Sequence, residues 1–151
     1  MFKLTSTVIL LVLFNINAAA HTILLNVIET GLTDSGSGHQ HSVLWESAFM
    51  DVFFDAGHIV TNAPILRMER KPHGDIINLI DIDEAKDCGS DYIIITQLDY
   101  SGESVLPRDV LLYIYEVNTQ KKIFQQIVER RRNDLNDLKT IARGLVPYIM
   151  E

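Results

Sequence analysis

The stretch that decides the fold runs from Asp91 to Tyr100 and has the sequence DYIIITQLDY. Its three consecutive isoleucines predict a strand buried on both faces, because a strand with one solvated face would alternate apolar and polar residues. Such a strand belongs at the centre of a sheet. Gly89 stands just before it and ends a short helical pattern, for which Asp81 or Asp83 would be the cap.

Strands and helices alternate before this central stretch, and two strands and a helix follow it, with residues 65–74 expected to be irregular. The predicted elements are, in order, strand 22–28, helix 42–57, strand 58–61, helix 82–88, strand 91–100, strands 109–117 and 122–128, and a helix capped by Asp134 or Asn133 that Pro147 shortens. The short connector between the last two strands predicts an antiparallel hairpin.

The order β-α-β-α-β-β-β-α predicts the fold class, a single compact α/β domain with a mixed sheet of about five strands. The first two strand-helix-strand crossovers should be parallel and right-handed. The closing hairpin then adds antiparallel strands to one side of the sheet.

The helix between Ser42 and Gly57 has one apolar face that should be buried. That face carries Trp45, Ala48, Phe49, Val52 and Phe53. Met50 and Phe54 fall outside it. Cover by the following loop is the favoured interpretation, because large apolar side chains usually find cover, and an exposed patch for a partner protein is the alternative.

Residues 1–20 have the three parts of a secretory signal peptide, namely a lysine, the apolar run VILLVLF and a final Ala-Ala-Ala. We expect cleavage between Ala20 and His21, which leaves residues 21–151 as one periplasmic domain. The apolar run is shorter than the roughly 20 residues that a membrane span needs, so no membrane anchor is expected. The residue directly after the cut is His21 and not cysteine, so no lipid anchor is expected either.

Charge and cysteine content narrow the classes of partner. The net charge of −7 predicts no binding to nucleic acid, because the phosphate backbone would repel the chain. The single cysteine, Cys88, cannot form an internal disulfide, and its place in the apolar helical pattern predicts a small buried core residue. A disulfide to another molecule is the alternative.

Three stretches resemble one group of envelope proteins. They are Glu84–Thr96 (EAKDCGSDYIIIT), Leu111–Thr119 (LLYIYEVNT), and the opening strand with its long loop and helix. They are similar to the amino-terminal domain of TolB and to the related domain of penicillin-binding-protein activators and curli-type secretion lipoproteins. The resemblance implies an α/β domain that docks on other proteins without catalytic residues, although the lipoprotein cysteine of the activators is missing here.

Histidines suggest a metal site as an alternative function. Cleavage would make His21 the amino-terminal residue, and His39 and His41 form an H-x-H pair in the glycine-rich loop. A terminal amine with two imidazoles can bind copper or zinc. The other interpretation is that all three are solvent-exposed by chance and that no cofactor is bound. The acidic residues around Asp83 lack the spacing of a calcium loop and are better explained as helix caps.

Catalytic motifs do not occur in the sequence. There is no G-x-S-x-G elbow, no H-E-x-x-H and no glycine loop with a following lysine for phosphate. The sequence therefore predicts a protein that is not an enzyme.

Basic residues at the closing hairpin are the second candidate docking surface, beside Met50 and Phe54. They are Lys121, Lys122, Arg130, Arg131 and Arg132. A solvated strand end is the favoured interpretation of this run, and contact with an acidic partner or anionic lipid is the alternative. Together these features predict a periplasmic docking or assembly factor that contacts another envelope protein, with an exposed sheet edge as a further means of contact and self-association left open.

Overall fold

The computed structural model describes residues 20–31, 39–101, 106–128 and 134–150. The strands are β1 (Thr22–Thr30), β2 (Ile59–Asn62), β3 (Leu66–Met68), β4 (Tyr92–Asp99), β5 (Asp109–Glu116) and β6 (Lys122–Val128). The helices are α1 (His39–Asp55), α2 (Ile82–Asp87), α3 (Leu135–Leu145) and α4 (Pro147–Met150), with a 3-10 turn at Ile76–Leu79. Residues 1–19 of the expected signal peptide lie outside the described residues, so its cleavage stays a prediction.

The sheet has the order β2-β1-β4-β5-β6, with β3 also paired to β1. β1 runs parallel to β2, β3 and β4, whereas β4–β5 and β5–β6 are antiparallel. The isoleucine-rich strand β4 lies in the middle of this order, as its sequence predicted. β4 is paired along its whole length on both sides, with eight residue pairs to β1 and eight to β5.

One short strand was not expected. Residues 65–74 were predicted to be irregular, but Leu66–Met68 pairs with the second half of β1, while β2 pairs with the first half. Pro64 lies in the break between β2 and β3, because proline has no N–H to donate to the ladder. Three residues are too few to show an alternating pattern, so the sequence did not predict β3. The strand forms because it pairs with β1, and the sheet therefore has six strands instead of five.

Helices and turns cover the two faces of the sheet unequally. α1 and α3 pack on one face over the larger apolar core, which contains the predicted face of α1 from Trp45 to Phe53. The smaller core on the other face includes Ile93, Ile95 and Tyr115 from the strands and Ile76 and Ala85 from the 3-10 turn and α2. β4 contributes side chains to both cores, which explains its continuous apolar sequence.

Helix ends follow the predicted capping with one exception. The Asp81 carboxylate accepts a hydrogen bond from Glu84 N at 3.0 Å, and Asp134 caps α3 in the same way. Gly57 follows α1 with a φ of 90°, which suits glycine. α1 begins at His39 instead of at Ser42, because the Ser42 hydroxyl bonds to Glu29 across the core. Pro147 ends α3 and starts the short α4.

Two burial predictions were wrong. Cys88 is exposed, because α2 ends at Asp87 and its contacts with the smaller core come from Ile82 and Ala85. Phe54 is 73% exposed, so the following loop does not cover it, whereas Met50 is half-buried against the larger core. Within the described residues, no helix is both long enough and apolar enough to cross a membrane.

Candidate functional site

The strand β6 forms one edge of the sheet. It pairs with β5 on one side and has no strand on its other side in the part of the chain that the structure describes. Its register places Phe124 opposite Ile114 and Gln126 opposite Leu112, on the face covered by the helices. Gln125 and Ile127 lie on the other face, opposite Tyr113 and Leu111. An edge of this kind presents main-chain donors and acceptors to a partner strand.

An apolar groove runs between β6 and the last helices. It has a volume of about 240 Å³ and is lined mainly by Phe124, Val128, Ile141 and Tyr148. The Phe124 and Tyr148 rings pack with centroids 4.6 Å apart. Gly144 forms part of the lining, and a methyl group built on it would meet nothing within 4 Å. Space therefore remains for apolar side chains beside the edge.

A second, more polar groove lies on the opposite face of β5 and β6. Its volume is about 480 Å³, and its lining includes Lys71, Asp75, Tyr113 and Lys122. The Lys122 ammonium lies 5.8 Å from the Tyr113 ring centroid. The Tyr115 hydroxyl donates to Asp75 at 2.5 Å, and this hydrogen bond holds the pKa of Asp75 below its usual value. We call β6 and these two grooves the β6 edge surface.

A second polar site lies inside the domain, at the carboxyl ends of β1 and β4. Glu29 and Asp99 are buried there, and each has a cation from the segment after β2. Arg67 Nε lies 2.9 Å from a Glu29 carboxylate oxygen, and Lys71 Nζ lies 2.6 Å from an Asp99 oxygen. We call these four residues with Tyr100 the carboxyl-end cluster. In parallel sheets, ligands often bind at this end of the strands.

The electrostatics of the carboxyl-end cluster favour paired, unreactive groups. Burial raises the pKa of Asp99, but the hydrogen bonds from Lys71 and Ser101 together lower it by more than burial raises it. The pKa of Asp99 therefore lies below its usual value. Burial raises the pKa of Tyr100 to about 12, opposed by a hydrogen bond with Ser42. A carboxylate with a low pKa and a bound cation is a poor general base. The cluster therefore joins the segment 66–71 to the sheet.

The docking residues predicted from sequence lie in separate places. Met50 and Phe54 are on α1, which packs over β1 and β2, away from β6. Lys121 and Lys122 are exposed at the start of β6, and Lys122 lines the polar groove. Arg130, Arg131 and Arg132 follow the far end of β6 and lie outside the described residues. The structure thus brings only the lysines to the β6 edge surface.

The predicted histidine set is not assembled by the fold. His21 precedes β1, whereas Ser42, next to His41, bonds to Glu29 near the other end of that strand. Eight residues of extended chain separate these ends by about 26 Å. Burial lowers the pKa of His41, and the His39 side chain lies outside what the structure describes. No three His, Cys, Asp or Glu side chains among the described residues form a metal-binding group.

Sequence reasoning missed most of the apolar groove. Tyr148 lines the groove and is 45% exposed, and it was not singled out. A signal was present in the alternation of KIFQQIV and in the aromatic residue after Pro147. The sequence does not predict that α3 and α4 pack beside the last strand, β6.

Similar solved structures include a PelC dodecamer from Paraburkholderia phytofirmans, which is 7% identical with a TM-score of 0.46 and covers 87% of this chain and 88% of that chain. TolB from Acinetobacter baumannii is 12% identical with a TM-score of 0.44 and covers 86% of this chain and 27% of that one. The LpoB C-terminal domain from Escherichia coli is 12% identical with a TM-score of 0.43, over 75% of this chain and 85% of that one. TolB and LpoB are members of the group that the sequence resemblance names.

Comparison of this sequence with known proteins and protein families shows which family the chain belongs to. No curated protein sequence matches this chain. A family described as "Uncharacterised protein" matches residues 34–143, which is most of the chain. The chain therefore belongs to that family of uncharacterised proteins.

Proposed function

We propose that this protein is a non-catalytic docking or assembly factor of the bacterial envelope, which acts in the periplasm through protein–protein contacts at the β6 edge surface. The observation that supports this function is the edge of β6, which no other described strand pairs with, together with a groove on each face of the strand. Exposed edges are usually blocked or used, because they attract other strands.

The occupant that fits this surface best is an extended segment of another envelope protein with apolar residues at alternate positions. Main-chain hydrogen bonds to an edge strand provide affinity, while alternate side chains of the added strand enter pockets on one face. Here the apolar groove beside Phe124 and Tyr148 would take one set of side chains. The other set would face Gln125, Ile127 and Lys122, so it should place an apolar residue against Ile127 and polar residues against Gln125 and Lys122.

The absence of catalysis is part of the proposal. Its support is that both buried carboxylates of the carboxyl-end cluster are paired with cations. The expectation also follows from the missing catalytic motifs in the sequence. The proposed periplasmic location depends on cleavage of residues 1–20.

A matched pair of substitutions tests the site. Ile127 on β6 is 62% exposed, and Ile59 on the opposite edge strand β2 is 57% exposed. A photo-crosslinking residue placed at each position in cells should capture a partner from position 127 only. Mass spectrometry would identify the cross-linked protein and the segment in contact.

Binding of that segment to the purified domain then gives the quantitative result. Ile127→Lys should weaken the affinity for this segment at least about tenfold, because a charge enters an apolar contact. Ile59→Lys should leave the affinity unchanged. Equal capture from both positions, or cross-linking only to a second copy of this chain, would contradict the proposal.

A further inference from the structure

Two histidines that are far apart in the sequence meet at the amino-terminal end of β1. His21 N lies 3.3 Å from His58 Nδ1, and the two rings stack with centroids 5.8 Å apart. The main chain holds both residues, because Ile59 N donates to His21 O at 2.9 Å and His58 N donates to Phe53 O at 3.0 Å. The pair is therefore part of the sheet and of the turn after α1.

We propose that cleavage after Ala20 turns this pair into a copper(II) site with three nitrogen ligands. The ligands are the new amine of His21, its own Nδ1 and His58 Nδ1. This donor set differs from the one expected from sequence, because His58 replaces His39 and His41. It contains two side chains and one main-chain nitrogen, so it is not one of the three-side-chain groups considered above. The site is independent of the docking function.

The spacing of the two nitrogens suits a shared metal ion. Nitrogen ligands lie about 2.0–2.1 Å from such a metal, so two of them are about 2.9 Å apart at a right angle and about 3.4 Å apart at a tetrahedral angle. The observed 3.3 Å is near the tetrahedral value, so the right angles of a tetragonal copper(II) ion would bring the two nitrogens about 0.4 Å closer together. The amine and Nδ1 of an amino-terminal histidine belong to one residue, so they can chelate the same ion.

The surroundings also favour a cation. The Asp91 carboxylate lies 3.6 Å from His21 Nδ1 and accepts a hydrogen bond from Thr22 N at 2.8 Å, so its charge is held beside the site. His58 is only 5% exposed, so the surrounding side chains hold its ring in place. His21 remains partly exposed, which leaves a path for the ion.

Copper is the metal that this donor set selects. Three nitrogens with a nearby carboxylate suit the tetragonal geometry of copper(II), and copper binds nitrogen sites more tightly than zinc does. Binding releases the proton of the terminal ammonium group, because only the neutral amine has a lone pair for the metal. No electron transfer is involved.

The test uses the mature protein, secreted and processed in cells, with its first residue determined by intact mass. Titration with copper(II), followed by the visible absorption band and by electron paramagnetic resonance, should show one equivalent bound through three nitrogens. The matched control keeps Asn17 to Ala20 ahead of His21. Four extra residues are needed, because a histidine at the second or third position would itself chelate copper.

The extended form and His58→Ala should each bind at least about 100-fold more weakly than the mature protein, whereas His41→Ala should bind equally well. Circular dichroism checks the fold of His58→Ala, and the extended form decides the question if that variant does not fold. Equal binding by the extended form, zinc binding as tight as copper binding, or a secreted chain that begins at another residue would overturn the proposal.

Discussion

The carboxyl-end cluster and the β6 edge surface are both polar regions at the boundary of the same sheet, but they have opposite properties. In the cluster, Glu29 and Asp99 are fully buried and each carboxylate has a cation within 3 Å. At the edge, the main chain of β6 has no strand on one side within the described residues, and Ile127 is mostly exposed.

This difference indicates that the carboxyl-end cluster stabilises the fold and that the β6 edge surface is available to bind a partner. A buried charge must be paired, because its desolvation costs several kcal/mol. An exposed edge can stay unpaired at little cost, because water satisfies its N–H and C=O groups. Substitutions in the cluster should therefore change stability, and substitutions at the edge should change docking.

The largest effect is expected at Lys71. Lys71→Met leaves the Asp99 carboxylate buried without its cation and should lower the free energy of unfolding by about 3–4 kcal/mol. The value lies near the lower end of the usual range, because the Lys71 side chain is half-exposed. Urea unfolding measures it. The double variant Lys71→Met, Asp99→Asn should recover most of the loss, and no recovery would refute the pairing.

The next effect is the alkaline loss of stability through Tyr100. Burial raises the pKa of Tyr100 from about 10 to about 12, so this group stabilises the fold fully below pH 10. That contribution should be lost as the pH rises from about 10 to about 12, and a shift of two units corresponds to roughly 2.7 kcal/mol. Tyr100→Phe should remove this part of the pH dependence, as measured by thermal unfolding between pH 8 and 12. An unchanged pH profile would argue against the assignment.

A smaller effect is expected at the groove beside the edge. Phe124→Ala removes a half-buried ring that packs on Tyr148 and should cost about 1.5 kcal/mol, less than for a fully buried phenylalanine. The same variant should weaken docking, because the ring forms a wall of the apolar groove. Phe54→Ala, on α1 away from β6, is the control and should change neither property markedly, because the Phe54 side chain is 73% exposed.

The smallest effect on stability is expected at Ile127. Ile127→Lys should unfold within about 0.5 kcal/mol of the wild-type protein, because the side chain is exposed. Docking should nevertheless fall, so this variant separates the two regions most clearly. A loss of stability comparable to that of Lys71→Met would mean that Ile127 supports the fold and that the comparison between the regions is wrong.

Much of the fold was predictable because it is encoded locally. The central position of β4, the buried face of α1, the closing hairpin and the Asp81 cap each depend on residues close together in the sequence. Predictions failed where a neighbour in space decides the outcome. β3 forms only because β1 offers it an edge, and Cys88 is exposed because α2 ends one residue earlier.

The candidate sites were less predictable than the fold. The sequence drew attention to Lys122 and to His21, which the structure places in the polar groove and beside His58. It did not indicate that His58 is the neighbour of His21, since 37 residues separate them. Nor did it indicate that Tyr148 packs on Phe124, because that contact depends on how α3 and α4 return to β6.

By itself, the sequence determined the strands other than β3, the main helices, which strand is central and which faces are apolar, because periodicity, caps and turn residues act over a few positions. Tertiary structure decided the pairing of Glu29 and Asp99 with their cations, the grooves beside β6 and the meeting of His21 with His58. These features require segments from distant parts of the chain, and only the packed sheet and helices bring such segments within contact distance.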